Sequence, residues 1–145
     1  MIKMDKPRIL IIDDGAGICE TLADIFQEKG YSIAIVNTGH EAANIVKTML
    51  FDAALIGIDL PDIKGTALLR ILARDYPWMA CIIITANNSQ NYAIEALKGG
   101  ARGYFLKSLI AEEVLIRINE ALYKQHLRRE LEKSEERNRC IVRKK

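Results

Sequence analysis

The chain has little cysteine and little proline, and it has no long apolar run. Three of its 145 residues are cysteine and three are proline. The cysteines are odd in number and no two have Cys-x-x-Cys spacing, which argues against a disulfide framework or a zinc site. No apolar stretch reaches the length of a membrane span, and the N-terminus lacks the apolar region of a secretory signal. We therefore expect a cytoplasmic chain without membrane contact and, from its length, one domain.

Charge is distributed unevenly along the chain. The net charge is +2, but residues 124–145 carry nine Lys or Arg and four Asp or Glu, so the preceding 123 residues have a net charge of −3. This basic tail lacks the interleaved aromatic residues and the motifs of nucleic-acid-binding modules. We expect a solvated helical extension rather than a nucleic-acid partner.

Short apolar runs alternate with segments of helical periodicity. Five runs have the composition of buried strands: residues 8–12, 31–36, 53–58, 81–85 and 103–107. A helical pattern follows each of them, and the last carries an inward stripe of Leu115, Ile118 and Leu122. Parallel neighbours need crossover connections, so this alternation predicts an α/β fold whose parallel sheet is covered by helices on both faces.

Two helices have further sequence signals. Thr38 and Glu41 fit a capping box that begins the second helix, for which we expect Ala43, Val46 and Leu50 to face inward. Beyond Tyr123 the helical pattern continues, but too few apolar seam positions follow for a coiled coil. We expect a helical extension that frays beyond about residue 135.

Polar residues end several of the predicted strands. They are Asp13 and Asp14 after the first strand, Thr85 at the end of the fourth and Lys107 at the end of the fifth. Such residues converge at the carboxyl edge of a parallel sheet, where α/β proteins bind ligands. Paired carboxylates can hold Mg²⁺, and a lysine beside a threonine hydroxyl can hold phosphate oxygens. Each residue alone could be a cap or a surface residue, but their occurrence together favours a site.

With these residues in place, the sequence resembles the receiver (CheY-like) domain of two-component response regulators over residues 7–123. The resemblance rests on Asp13-Asp14, Leu60-Pro61 with Gly65, Thr85-Ala86, Gly100-Ala101 with Tyr104, and Lys107. It implies a doubly wound, flavodoxin-like five-stranded parallel sheet with strand order 2-1-3-4-5 and five helices, the last of them extended. It also implies that the chain is a phosphorelay signalling module rather than an enzyme.

The resemblance assigns roles to individual residues. In that family the acidic pair binds Mg²⁺, which implies Asp13, Asp14 and the backbone carbonyl of Asp59 as metal ligands. A strand-three aspartate accepts a phosphoryl group from a histidine kinase. Thr85 and Lys107 then correspond to the residues that contact this group, and Thr85 with Tyr104 to the switch pair.

The chain departs from the family at the acceptor itself. Counting back from Pro61 and Gly65, the phosphoacceptor position is Gly57, which has no side chain to phosphorylate. We predict an atypical receiver with no catalytic residue, weak Mg²⁺ binding and signalling through protein–protein contacts. The alternative is that Asp59 serves as a surrogate acceptor. A second departure is Ser108, where the family usually has a proline.

The resemblance also suggests partners and domain limits. The implied partners are a histidine kinase, a phosphotransfer protein, or a second copy bound through the last two helices and strand, around Tyr92, Tyr104 and Val114. We place the receiver domain at 1–123 and a basic helical extension or linker at 124–145. Residues 131–137 are similar to the lead-in of a PAS sensory domain, which the extension could precede.

Two enzyme classes are weaker alternatives. Gly15 and Gly17 begin a dinucleotide-binding pattern, but Glu20 takes the place of its third glycine. A phosphatase-like hydrolase would need a strand-end aspartate nucleophile with an acid/base partner, and none follows the adjacent acidic pair.

Overall fold

A computed structural model describes residues 7–85, 90–106 and 111–143, with side chains described throughout except at 16–19, 90–92, 111–114 and 138–143.

Five parallel strands form a single sheet. They are β1 (Arg8–Ile12), β2 (Ser32–Val36), β3 (Ala53–Gly57), β4 (Ala80–Thr85) and β5 (Gly103–Leu106). Their order is β2-β1-β3-β4-β5, as the resemblance implied. Ile12 pairs with Ile56, Ile56 with Ile83 and Ile83 with Tyr104, so one row of residues crosses four strands. This row brings the carboxyl ends of the strands to a common edge of the sheet.

Five helices connect or follow the strands. They are α1 (Ala16–Glu28), α2 (Gly39–Thr48), α3 (Gly65–Asp75), α4 (Gln90–Lys98) and α5 (Ala111–Arg143). The fraying expected beyond residue 135 is wrong, because α5 continues as one helix to Arg143. Within the described parts of the chain, no helix combines the length and apolarity that a membrane crossing requires.

The core lies on both faces of the sheet, because alternate strand side chains point to opposite sides. Ile9, Ile11 and Leu55 pack with α1 and α5, including the predicted stripe of Leu115, Ile118 and Leu122. Leu10, Ile12 and Ile56 pack with side chains of α2, α3 and α4 on the other face. The strands β3 and β4 are buried at every position, which explains their continuous apolar runs.

Cys81 belongs to this core. Its thiol is buried in β4, and burial raises its pKa to about 12. The thiolate is the reactive form of cysteine, so Cys81 is a packing residue.

The inward position expected for Leu50 is wrong. The helix α2 ends at Thr48, so Leu50 follows it in the loop before β3, with 84% of its surface exposed. The buried positions of α2 are Gly39, Ala42 and Val46, and Ala43 is half-buried. The apolar repeat in the sequence continues two residues beyond the end of the helix.

Candidate functional site

The carboxyl edge of the sheet holds the residues that end β1, β3 and β4. Asp13 follows β1, Gly57 ends β3 and Thr85 ends β4, and these strands are neighbours in the sheet. The side chains of Asp13 and Thr85 are buried, each with 2% exposure. Polar side chains are seldom buried so completely at a strand end unless the local structure holds them, and here two of them lie on either side of Gly57.

The backbone of Asp13 is fixed by the neighbouring strand β2 and its loop. The Asp13 N–H donates to the Val36 carbonyl at 3.1 Å, and the Asn37 side-chain amide donates to the Asp13 carbonyl at 3.2 Å. The first bond extends the β1–β2 pairing one residue beyond the strands, and the second joins the Asp13 backbone to the loop after β2. They hold the start of the Asp13 side chain in a defined direction.

The carboxylate of Asp13 lies directly over Gly57. A Cβ atom at position 57 would be 2.7 Å from Asp13 Oδ1 and 3.1 Å from its Cγ, well inside van der Waals contact. The side chain of Asp13 therefore occupies the space into which an acceptor side chain would project. Glycine at position 57 leaves room for the Asp13 side chain in this orientation. Any larger residue at position 57 requires the Asp13 side chain to rotate away.

The loop after β3 folds back tightly onto Gly57. Gly65, the first residue of α3, donates its N–H to the Ile58 carbonyl at 2.7 Å. A Cβ at position 65 would overlap the Gly57 carbonyl oxygen, so only glycine permits this approach. Asp59 and Lys64 form an isolated antiparallel bridge that closes the loop. Residues 60–65 thus form a compact loop over the end of β3.

The acidic residues do not form a complete magnesium site. Asp13 is buried, whereas Asp14 and Asp59 are exposed. No group of three His, Cys, Asp or Glu side chains with metal-binding geometry occurs among the described residues. Gly57, at the family's phosphoacceptor position, adds no carboxylate to these residues. These residues do not fit a tight Mg²⁺ site.

Among the remaining predicted site residues, the structure describes the side chain of Tyr104. Tyr104 lies in β5, where its half-buried ring packs against the core on the α2, α3 and α4 face. Lys107 and Ser108 lie outside the described residues, as does Ala86. The side chains of Tyr92 and Val114 also lie outside them. Lys107 at the site therefore stays a prediction.

An aspartate that the sequence did not single out joins this loop to α2. The Asp62 carboxylate accepts the N–H groups of Gly39 and His40, each at 2.8 Å, while Thr38 Oγ1 accepts from the Glu41 N–H at 3.0 Å. The Thr38 cap was predicted correctly. The second cap comes from 23 residues further along the chain, so no local motif could reveal it.

The Asp62 cap predicts a pH-dependent contribution to stability. The two backbone N–H groups, Gly39 first, lower the pKa of the Asp62 carboxyl below its usual value. The charged form is favoured in the folded state, so its contribution is present near neutral pH and is lost as pH falls through the lowered pKa. We expect Asp62→Asn to lower the free energy of unfolding at pH 7, and the difference to shrink below about pH 4.

Urea unfolding at several pH values measures this difference. The exposed Asp24 of α1 offers a matched control, because Asp24→Asn removes the same charge away from any helix start. An equal effect of both substitutions at every pH would contradict the cap.

Comparisons with known proteins agree with this arrangement. The family profile described as the response regulator receiver domain matches residues 9–119. The chain belongs to the response regulator receiver family. It is 31% identical over 122 residues to the transcriptional regulatory protein ZraR of Escherichia coli strain K12, a match that covers 84% of this chain and 28% of that protein. The chain thus spans less than a third of the length of this curated relative.

Solved structures show the same receiver fold. A CheY-like receiver domain protein from Methanospirillum hungatei JF-1 has a TM-score of 0.81 and 32% identity, covering 85% of this chain and 98% of that one. The beryllofluoride-activated NtrC4 receiver domain dimer has a TM-score of 0.77 and 28% identity, with coverage of 81% and 98%. Receiver domains are signalling modules that generally bind Mg²⁺ at the acceptor site and interact with histidine kinases or phosphotransfer proteins. This chain is a receiver domain of two-component signalling.

Proposed function

We propose that this receiver domain signals without taking up a phosphoryl group, by binding a protein partner. Gly57 carries the proposal, because the acceptor position has no carboxylate and the Asp13 side chain lies where one would project. Phosphoryl transfer to a receiver needs a carboxylate oxygen that attacks phosphorus. Asp59 offers a carboxylate nearby, but it is exposed and lies beyond the end of β3, in the bridge with Lys64.

The proposed docking surface is formed by α4, β5 and α5. Three large apolar side chains on these helices face solvent: Ile94 is 47% exposed, Leu97 61% and Ile116 57%. The adjacent strand β5 is an edge strand, and Tyr104 lies in it. Exposed apolar side chains beside a strand edge are a common feature of protein interfaces. The occupant could be a kinase, a phosphotransfer protein or a second copy of the chain, and the second copy can be tested directly.

We expect the chain to self-associate through this surface, to the same extent with and without beryllofluoride, a phosphoryl-group mimic that binds the acceptor carboxylate. Leu97→Glu should lower the dimer fraction at least tenfold, because it places a charge in an apolar interface. Light scattering after size-exclusion chromatography, over a range of concentrations, measures the mass. Ile35→Glu is the matched control, since Ile35 is a comparably apolar, 40% exposed residue on the opposite edge strand β2.

Two outcomes would contradict the proposal. A change in mass on adding beryllofluoride would mean that the chain still has a working acceptor. A strict monomer that also fails to bind histidine kinases would remove the docking role.

The dinucleotide-binding alternative gains no support. That motif needs a third glycine where its helix packs closely on the strand. In α1 this position is occupied by Glu20.

A further inference from the structure

A cavity of about 580 Å³ lies at the amino-terminal edge of the sheet. Arg8 begins β1, Phe51 and Asp52 precede β3, and Met79 precedes β4, and all four line it. Gly57 lies at the other end of β3, so this cavity is separate from the receiver's acceptor site. Its volume is within the range of pockets that bind small organic molecules, about 300–1,000 Å³.

The side chains that line the cavity are mainly apolar, and several of them are exposed to solvent. The end of α2 contributes Met49 and Leu50, and the α3–β4 loop contributes Tyr76 and Trp78. Leu50 is 84% exposed, Trp78 57% and Met49 38%. Large apolar side chains grouped around one opening usually mark a surface that binds something. An apolar ligand body would remove them from water.

Two arginines add positive charge to these walls. Arg8 and Arg129 both line the cavity, and neither forms an ion pair in the described parts of the chain. The one carboxylate among the lining residues is Asp52, which accepts the backbone N–H of Arg8 at 2.8 Å. The lining thus has one more positive than negative charge, and its two guanidinium groups are available to an anion. Guanidinium groups bind carboxylates with particularly favourable geometry.

Arg129 connects the cavity to the extension of α5. One turn earlier, Gln125 is buried and its side-chain amide donates to the Trp78 carbonyl. This contact holds the extension against the α3–β4 loop, so that Arg129 lies beside the apolar walls. A ligand that touches both Trp78 and Arg129 would strengthen the attachment of α5 to the domain.

We propose that this cavity binds a small amphipathic carboxylate, free in solution, with its apolar body against Trp78 and Leu50 and its carboxylate at Arg8 and Arg129. The apolar walls contact the apolar body of the ligand. The two guanidinium groups, which form no ion pair in the described parts of the chain, bind its carboxylate. The proposal does not depend on the role of Gly57 or on self-association. The cavity is thus a ligand-binding site at the end of the sheet opposite the acceptor position.

Trp78 is the only tryptophan in the chain, so its fluorescence reports on this cavity alone. We expect titration with decanoate to move the Trp78 emission to shorter wavelength and to saturate, because the ligand shields the exposed indole from water. Decyltrimethylammonium has the same tail with the opposite charge, and decanol has the tail without charge. Both should bind at least tenfold more weakly than decanoate, since neither carries an anion for the arginines.

Two arginine variants separate a specific contact from general charge attraction. Arg129→Gln should weaken decanoate binding about tenfold or more, the effect of losing one charge-assisted hydrogen bond. Arg128→Gln removes the same charge from the adjacent, exposed residue that does not line the cavity, and should leave the affinity unchanged. No saturable shift with decanoate, equal affinity for the three probes, or equal loss in both variants would overturn the proposal.

Discussion

Replacing Gly57 with aspartate should restore phosphorylation: the Gly57→Asp chain is expected to gain one phosphoryl mass with acetyl phosphate and Mg²⁺, and the unsubstituted chain none. The variant supplies the carboxylate oxygen that attacks phosphorus as acetate leaves. Asp13, Asp14 and Thr85 are already at the same edge of the sheet. Intact-protein mass spectrometry distinguishes the two results directly.

The structure shows what the substitution requires. The new Cβ would be 2.7 Å from Asp13 Oδ1, so the Asp13 carboxylate must rotate away from β3. This movement is feasible because the two closest atoms belong to the end of a side chain rather than to backbone. The nearest backbone atom, the Ile12 carbonyl oxygen, would be 3.2 Å away, which is tight but tolerable. We therefore expect the variant to fold.

Two controls determine what a mass gain would mean. Gly57→Asn has nearly the same size as the aspartate but no carboxylate, and it should gain no phosphoryl group. Asp59→Asn in the unsubstituted chain tests the surrogate acceptor. If the unsubstituted chain gains the phosphoryl mass and loses that ability in Asp59→Asn, then Asp59 is an acceptor and the proposed phosphorylation-independent signalling is wrong.

Replacing Gly65 with alanine should destabilise the domain by about 3 kcal/mol, the upper end of the usual cost of overpacking. The added Cβ would overlap the Gly57 carbonyl oxygen and come within 2.8 Å of Gly57 C and Ile58 Cα. These are backbone atoms at the end of β3, a strand held between β1 and β4, so they cannot move without disturbing the sheet. The cost exceeds the roughly 1 kcal/mol that alanine gains over glycine inside a helix.

Thermal and urea unfolding of the full chain measure this effect, with an expected fall in Tm of about 10 °C. Gly99→Ala is the matched control. Its Cβ would meet side-chain atoms of Arg70 and Leu69 at 3.2 Å and the Glu95 carbonyl oxygen at 3.3 Å, all of them much farther away than the backbone atoms that a Cβ at position 65 would meet. We expect that variant to change stability by less than about 1 kcal/mol. Equal stability of the two variants would mean that the loop after β3 does not approach Gly57 as closely as described.

The sequence by itself determined the fold and the composition of the site edge. The apolar runs of β3 and β4 are continuous because both faces of a parallel sheet are covered, and this pattern is visible without coordinates. The glycine at position 57 could be located by its spacing from Pro61 and Gly65. The Thr38 cap was also predictable, since its partner Glu41 is only three residues away.

Only the tertiary structure decided how distant segments meet. Periodicity reports whether a residue is buried, but it does not report which distant residue it contacts. The Asp62 cap on α2, the Gln125 contact with Trp78 and the Asp13 carboxylate over Gly57 each join residues more than 20 positions apart. The exposure of Leu50 likewise depended on where α2 ends, which is set by the connection to β3. These contacts determine which side chains meet at each edge of the sheet. The sequence does not reveal them, because the same residue types also occur in ordinary loops.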